Sequence, residues 1–174
     1  MESVIRAESL TVSFATPDSV DTTELAALAA QTFPLACPPA TTTADIAAFV
    51  AANLSAERFA EYLADPARAI LTARHGGRII GYAMVIREDD RAEVSKMYVL
   101  PDHHRTGASA ALMELALDTA ARWGVASVWL GVNQGNERAQ RFYAKHGFAV
   151  SGTRTFRVGD RLENDYLMTR ELRR

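Results

Sequence analysis

Two glycines near the middle of the chain constrain its fold more than any other feature. Gly76-Gly77 sits between ARAILTARH and RIIGYAMVIRE, two runs rich in apolar and β-branched residues. A Gly-Gly pair supplies the positive φ that a tight hairpin turn needs, so residues 67–88 read as two antiparallel strands. AEVSKMYVLP (92–101) alternates polar and apolar until Pro101 and reads as a third strand in series. Three strands in series commit this part of the chain to an antiparallel sheet. The rest must extend that sheet or cover it.

The flanking segments do both. LTVSFATP (10–17) has strand character and stops at a proline. Asp18 and Asp21 can cap a helix whose positions Leu25, Leu28, Ala29, Thr32 and Ala36 follow helical spacing. CPPATTT (37–43) is a loop, and Thr42 followed by Asp45 has the form of a capping box before DIAAFVAANL. Ser55 caps SAERFAEYLAD, which ends at Asp65-Pro66. After Pro101, ASAALMELALDTAARWG (108–124) is a helix with Leu112, Leu115, Ala116, Thr119 and Trp123 on one face and Gly124 as its stop. ASVWLGV (126–132) reads as a buried strand, and NERAQRFYAKHG (136–147) as an amphipathic helix with Gly147 as its C-cap. FAVSGTRTFRV and RLENDYLMTREL form a closing hairpin around Gly159-Asp160. The expected fold is α/β (α+β), a central mixed sheet of about seven strands flanked by helices. One domain is expected over residues 1–174.

Composition narrows the function classes. The net charge is −2 and the sequence pI about 6.1, without the basic excess that nucleic acid would want. Cys37 is the single cysteine, so no disulfide framework forms within the chain and a cytoplasmic home is expected. The start MESVIRAESL lacks a basic end followed by an apolar run, and no apolar stretch reaches membrane-spanning length. His103 and His104 are adjacent but lack a companion set of carboxylates or cysteines, so no metal is expected.

The loop PDHHRTGASAALM (101–113) joins the third strand to the long helix. Backbone N–H groups at a helix start lack partners and, with the helix dipole, make an anion site suited to phosphate. Gly107, Ala108, Ser109 and Ala110 are small enough for a bulky anion to approach, and His104 and Arg105 add donors or charge. An ordinary helix start, with its small residues packed on the sheet, fits the same letters.

Two stretches carry a family likeness. KMYVLP, HHRTGAS and ALMELAL resemble the acetyl-CoA-binding motif of the GCN5-related N-acetyltransferases. That motif reads Gln or Arg, two residues, Gly, one residue, then Gly or Ala. Here the run is His104-Arg105-Thr106-Gly107-Ala108-Ser109, with His at the first position and Ser at the last. WLGVNQGNERAQRFYAKHGFAVSGT (129–153) resembles the family's next strand, helix and strand, with Asn136 opening the helix and Phe142-Tyr143-Ala144-Lys145-His146-Gly147-Phe148 closing it. The tail FRVGDRLENDYLMTREL and the front helices also look like the PaiA-type spermidine/spermine acetyltransferases.

The resemblance implies roles. Acetyl-CoA would be the cosubstrate, held by His104, Arg105, Thr106, Gly107, Ala108 and Ser109. Backbone groups of Met97, Tyr98 and Val99 would hold its pantetheine arm, and Asn136 would bond that arm or a nearby backbone group. Tyr143 would protonate the leaving thiolate. Glu93 is the candidate base, with a water chain past Ser95 as the alternative. Trp129 reads as core, and Arg138 and Lys145 either reach phosphate or, as the first expectation, form a solvated helix face. The acceptor would be a small-molecule primary amine, foremost a polyamine met by Glu57, Glu61, Glu93, Glu163 and Asp165. A protein N-terminus, an amino acid or an aminoglycoside remain alternatives, as does an acetyl-CoA sensor without catalysis. No membrane or nucleic-acid partner is expected, and a homodimer is left open.

Overall fold

The computed structural model describes residues 9–158 and 160–172. Gly159 of the expected closing turn lies outside them. A seven-stranded sheet forms in the order β1-β2-β3-β4-β5-β7-β6. Its strands are β1 (Leu10–Phe14), β2 (Arg68–His75), β3 (Arg78–Glu88), β4 (Arg91–Val99), β5 (Ser127–Asn133), β6 (Ala149–Val158) and β7 (Arg161–Glu171). Every neighbouring pair is antiparallel except β4 and β5. At the β2–β3 turn Gly76 and Gly77 stand at φ 58° and 79°, the left-handed conformation expected of a Gly-Gly hairpin turn.

The helices begin where their caps sit. The Asp21 side chain accepts from the N–H groups of Thr23 and Glu24 and starts α1 (Thr22–Ala36), so Asp18 is not the cap. Thr42 accepts from Asp45 N–H ahead of α2 (Thr43–Asn53), and Ser55 accepts from Arg58 N–H ahead of α3 (Ala56–Ala64). Such caps stabilise a helix start by about 1 kcal/mol each. A 3₁₀ turn at Pro101–His103 breaks the loop before α4 (Ala108–Trp123), and α5 (Glu137–Lys145) follows β5.

Each face of the sheet carries its own core. On one face α4 packs over Leu71, Val85, Val94, Val128 and Leu130 through Leu112, Met113 and Ala116. On the other, Leu25 and Leu28 of α1 and Phe59 of α3 pack with Ile70, Tyr82 and Met84. Strand alternation sends Val128, Leu130 and Val132 to the α4 side. Trp129, Gly131 and Asn133 therefore face the other way. Trp129 belongs to neither core, which corrects its reading as a core residue. α1 packs on β3 and β4, and α3 on β2. The same face beyond β4 is floored by side chains of β5, β6 and β7.

Two irregularities in β4 shape the middle of the sheet. Val94 lies opposite Val85, but Lys96 lies opposite Met84, so Ser95 is an extra residue and β4 is bulged there. Without the bulge, Glu93 and Lys96 would point to opposite faces. With it, both share the face of Tyr98, away from α4. Second, β4 pairs with β5 only over Arg91–Glu93 against Ser127–Trp129, and the two strands then part.

Candidate functional site

The parting of β4 and β5 leaves an open seam. Leu100 N–H donates to Ile80 O at 2.8 Å. Antiparallel alternation then turns the backbone groups of Tyr98 toward β3, and those of Met97 and Val99 toward the seam. His104 Nε2 stands 2.9 Å from Val99 O, which fits that orientation.

A cleft of about 420 Å³ opens at the seam. Met97, Tyr98 and Val99 line it from β4, Gly107, Ser109 and Ala110 from the start of α4, and Asn136, Arg138 and Tyr143 from α5 and its cap. Thr32, Leu35 and Ala36 close it from the end of α1. Gly107 is the N-cap of α4 at φ 83° and offers no side-chain cap. The first helical bond runs from Ala111 N–H to Gly107 O at 3.0 Å, so the N–H groups of Ala108, Ser109 and Ala110 have no acceptor among the described residues. Three converging donors at a helix N-terminus suit a phosphate. A side chain at Gly107 would meet nothing within 4 Å.

Most of the expected coenzyme residues meet here, with some differences. Met97, Tyr98, Val99, His104, Gly107, Ser109, Asn136 and Tyr143 line the cleft. Arg105 and Thr106 are exposed and outside its lining, and the Thr106 hydroxyl donates to His103 O at 2.6 Å. Ala108 is buried against the core and contributes only its N–H. Asn136 caps α5, its Oδ1 accepting from Ala139 N–H at 3.1 Å. Glu93 does not line the cleft. Arg138, read as a solvated helix residue, does, and its Nη2 stands 3.2 Å from His104 Nδ1. The Nε2–H tautomer of His104 satisfies both contacts, donating to Val99 O and accepting from Arg138. An amphipathic pattern puts Arg138 on the polar face of α5. Only the placement of α5 beside α4 turns that face into the cleft.

Tyr143 is half-buried, edge-on to Phe142 at 5.5 Å and to Phe148 at 6.1 Å between ring centroids. Burial pushes its hydroxyl pKa up to about 12, so it keeps its proton at neutral pH. Among the described residues no group of three or more His, Cys, Asp and Glu could hold a metal ion, and no helix is long and apolar enough to cross a membrane.

Across β4 from α4, four charged groups lie on one floor. Burial raises the Glu93 pKa against the opposing pull of Arg154, and burial lowers that of Lys96. Lys96 Nζ lies 5.6 Å from the centroid of Phe49 on α2. Arg154 Nε donates to Asp165 Oδ2 at 3.3 Å, and burial raises the Asp165 pKa despite that partner. The pair lies over Gly131, where a Cβ would come within 3.1 Å of Asp165 Oδ2 and collide with the guanidinium. The Trp129 ring has Arg91 at 4.8 Å and Arg154 at 5.7 Å, and its Nε1–H is buried without an acceptor.

Residues 31–148 match the model of the acetyltransferase (GNAT) family. An uncharacterised N-acetyltransferase of Mycobacterium tuberculosis is 69% identical over 153 residues, covering 87% of this chain and 98% of the relative. The solved PaiA N-acetyltransferase of Thermoplasma acidophilum in complex with coenzyme A superposes with a TM-score of 0.81 at 18% identity, over 94% of this chain and 99% of that one. The ribosomal-protein-S18-alanine N-acetyltransferase of Escherichia coli superposes with a TM-score of 0.73 at 21% identity, over 95% and 96%. At these identities the two structures establish a shared fold. The family match over two thirds of the chain, together with the 69% identical relative, establishes more: this chain is a member of the GNAT family of acetyltransferases.

Proposed function

We propose that the protein moves the acetyl group of acetyl-CoA directly to a primary amine of a small molecule. One observation carries the reading: the free N–H groups at the start of α4 and those of Met97 and Val99 converge on a single cleft with the Tyr143 hydroxyl. Acetyl-CoA is the cosubstrate, in keeping with the family and with the coenzyme A bound in the PaiA neighbour. When bound it supplies the acetyl group as a thioester. The chain's part is to bind, orient and move protons. Ala108, Ser109 and Ala110 N–H groups take a phosphate, with Arg138 beside them. Met97 and Val99 offer strand-like backbone bonds along the seam.

An alkyl ammonium has a pKa near about 10.4, so the acceptor needs a base at neutral pH. Glu93 takes that proton, directly or through a water, and its raised pKa suits the task. Tyr143 gives its hydroxyl proton to the departing thiolate. Cys37 is the only thiol, and burial raises its pKa, which disfavours a thiolate nucleophile and an acyl-enzyme.

The polyamine expectation draws mixed support. Glu61 is tied to Arg58, Asp165 to Arg154, and Glu163 accepts from Asn133 and lies 4.0 Å from Arg161. Glu57 is exposed on α3. Glu93 alone of the five stands near the seam without an ion pair. One free carboxylate favours a single reacting amine over a polycation.

The test is acetyl-CoA-dependent thiol release with spermidine, amino acids and short peptides. Tyr143→Phe is expected to lose about a hundredfold in kcat while its coenzyme Kd stays unchanged. Equal turnover by Tyr143→Phe and the parent enzyme removes Tyr143 from the chemistry. No release with any acceptor counts against transfer itself.

A further inference from the structure

We infer that the acceptor is an aminocarboxylate, a molecule with a carboxylate a few bonds from its reacting amine, read by the mixed-charge floor of Glu93, Lys96, Arg154 and Asp165. The inference rests on the acetyl-transfer reading and specifies the acceptor class for the same site.

The Ser95 bulge is the first ground. It brings an acid and a base, Glu93 and Lys96, to one face of β4 where regular pleating would separate them. Both are half-buried, and among the described residues neither has a hydrogen bond or an ion pair. The Lys96 ammonium lies 5.6 Å from the centroid of the Phe49 ring and feels the charges of Glu93 and Arg68, without a hydrogen bond to either among the described residues. A partly buried ammonium with three unused donors is costly unless something pairs with it.

The second ground lies across the seam. Gly131 leaves room for the Arg154–Asp165 pair, and Arg154 uses Nε for Asp165, so its terminal nitrogens are free to grip a carboxylate as a fork. Glu93 and Trp129 are paired residues of β4 and β5, and Arg154 lies over the Trp129 ring. The two charge pairs are therefore neighbours on one floor.

Glu93 and Asp165 balance Lys96 and Arg154, while Arg68 is engaged by Asp65 and Arg91 lies over the Trp129 ring. A polycation would meet one free carboxylate, Glu93, and be repelled by Lys96 and Arg154. A polyanion meets the reverse. An apolar amine leaves Lys96 unpaired. A zwitterion answers both signs, its ammonium at Glu93, the proposed base, and its carboxylate at Lys96 and Arg154.

The experiment is calorimetric titration of the full chain, saturated with coenzyme A, with ornithine and with putrescine, two diamines that differ by one carboxylate. Ornithine is expected to bind at least about tenfold more tightly, the worth of one charge-assisted bond. Lys96→Met keeps the stem against Phe49 and is expected to cut the ratio several-fold, Arg154 retaining the rest, with a thermal midpoint showing that it folds. Putrescine or spermidine binding as tightly as ornithine overturns the inference, as does an unchanged ratio in a folded Lys96→Met. Thiol release with the same probes separates the two readings. Preferred ornithine binding without acetylation of any amine leaves the aminocarboxylate ligand class standing and removes acetyl transfer.

Discussion

Glu93, proposed as the base, also bears on stability. Its pKa is raised because burial disfavours the carboxylate, with Arg154 offsetting part of that cost. Folding therefore favours the protonated form. The contribution of this group to stability is greatest in acid and is lost as pH rises through its folded pKa. Glu93→Gln removes a desolvated charge, so its thermal midpoint at pH 7 is expected to equal or exceed that of the parent, the gap closing near about pH 4. Turnover runs the opposite way. At pH 7 Glu93→Gln is expected to lose about a hundredfold in kcat, and to recover as pH approaches the pKa of the amine. A uniform loss at every pH would give Glu93 a positioning role instead. Tyr143, held protonated to about 12, adds no falling limb below that pH. Sequence named Glu93 and Tyr143 as candidates through their place beside the loop and in the Phe-Tyr-x-Lys-x-Gly-Phe run. It left Arg138 between phosphate and solvent, because its role depends on which helix end it lies beside.

At the scale of elements, the proposed phosphate site at the start of α4 depends on Gly107 holding its left-handed turn. Ala at φ 83° costs about 1–2 kcal/mol. It also adds a methyl group next to the three amides, where nothing lies within 4 Å. Gly107→Ala is expected to lower the thermal midpoint and to weaken coenzyme binding in equilibrium dialysis by about tenfold or more, each 1.4 kcal/mol being tenfold. Gly107→Asn tests which effect dominates. Asn tolerates the left-handed region, so it should recover stability without recovering affinity. The element order, the hairpins and most caps followed from spacing and turn residues, since those signals are local. The Ser95 bulge did not. Nothing in AEVSKMYVLP marks where the alternation slips, because the extra residue is fixed by its partner β3. The facing of Glu93 and Lys96, and hence the chemistry of the floor, lay beyond a reading of one strand.

Across the whole molecule, the sheet joins a half built by β1 to β4 and a half built by β5 to β7. Arg154 and Asp165 belong to the second half and complete the floor begun by the first. Asp165 is almost fully buried, so Arg154→Ala leaves a carboxylate without its partner. That is expected to cost about 1–3 kcal/mol in urea unfolding at pH 7. Without Arg154 the Asp165 pKa rises further, so the deficit should shrink as pH falls and the carboxyl takes up its proton. A loss equal at pH 4 and pH 7 would assign the effect to the lost stacking of the guanidinium on Trp129 and Phe156. Sequence named Asp165 as one acid among five. Its pairing with Arg154 is a matter of register between β6 and β7, which neither strand states alone.

The short stitch between β4 and β5 has a consequence for how long the protein lasts. Three residue pairs join the half-sheets, and beyond them the amides of Met97 and Val99 have no strand to shield them. A ligand that bonds those amides binds the native form alone and stabilises it by mass action, by about 2.7 kcal/mol at a hundred times its Kd. Amide hydrogen exchange at Met97 and Val99 is expected to slow when coenzyme is added, with a parallel fall in protease cleavage. Exchange unchanged by coenzyme would mean the seam is already closed. In a cell, the abundance of such a chain would follow the supply of the metabolite that mends its sheet.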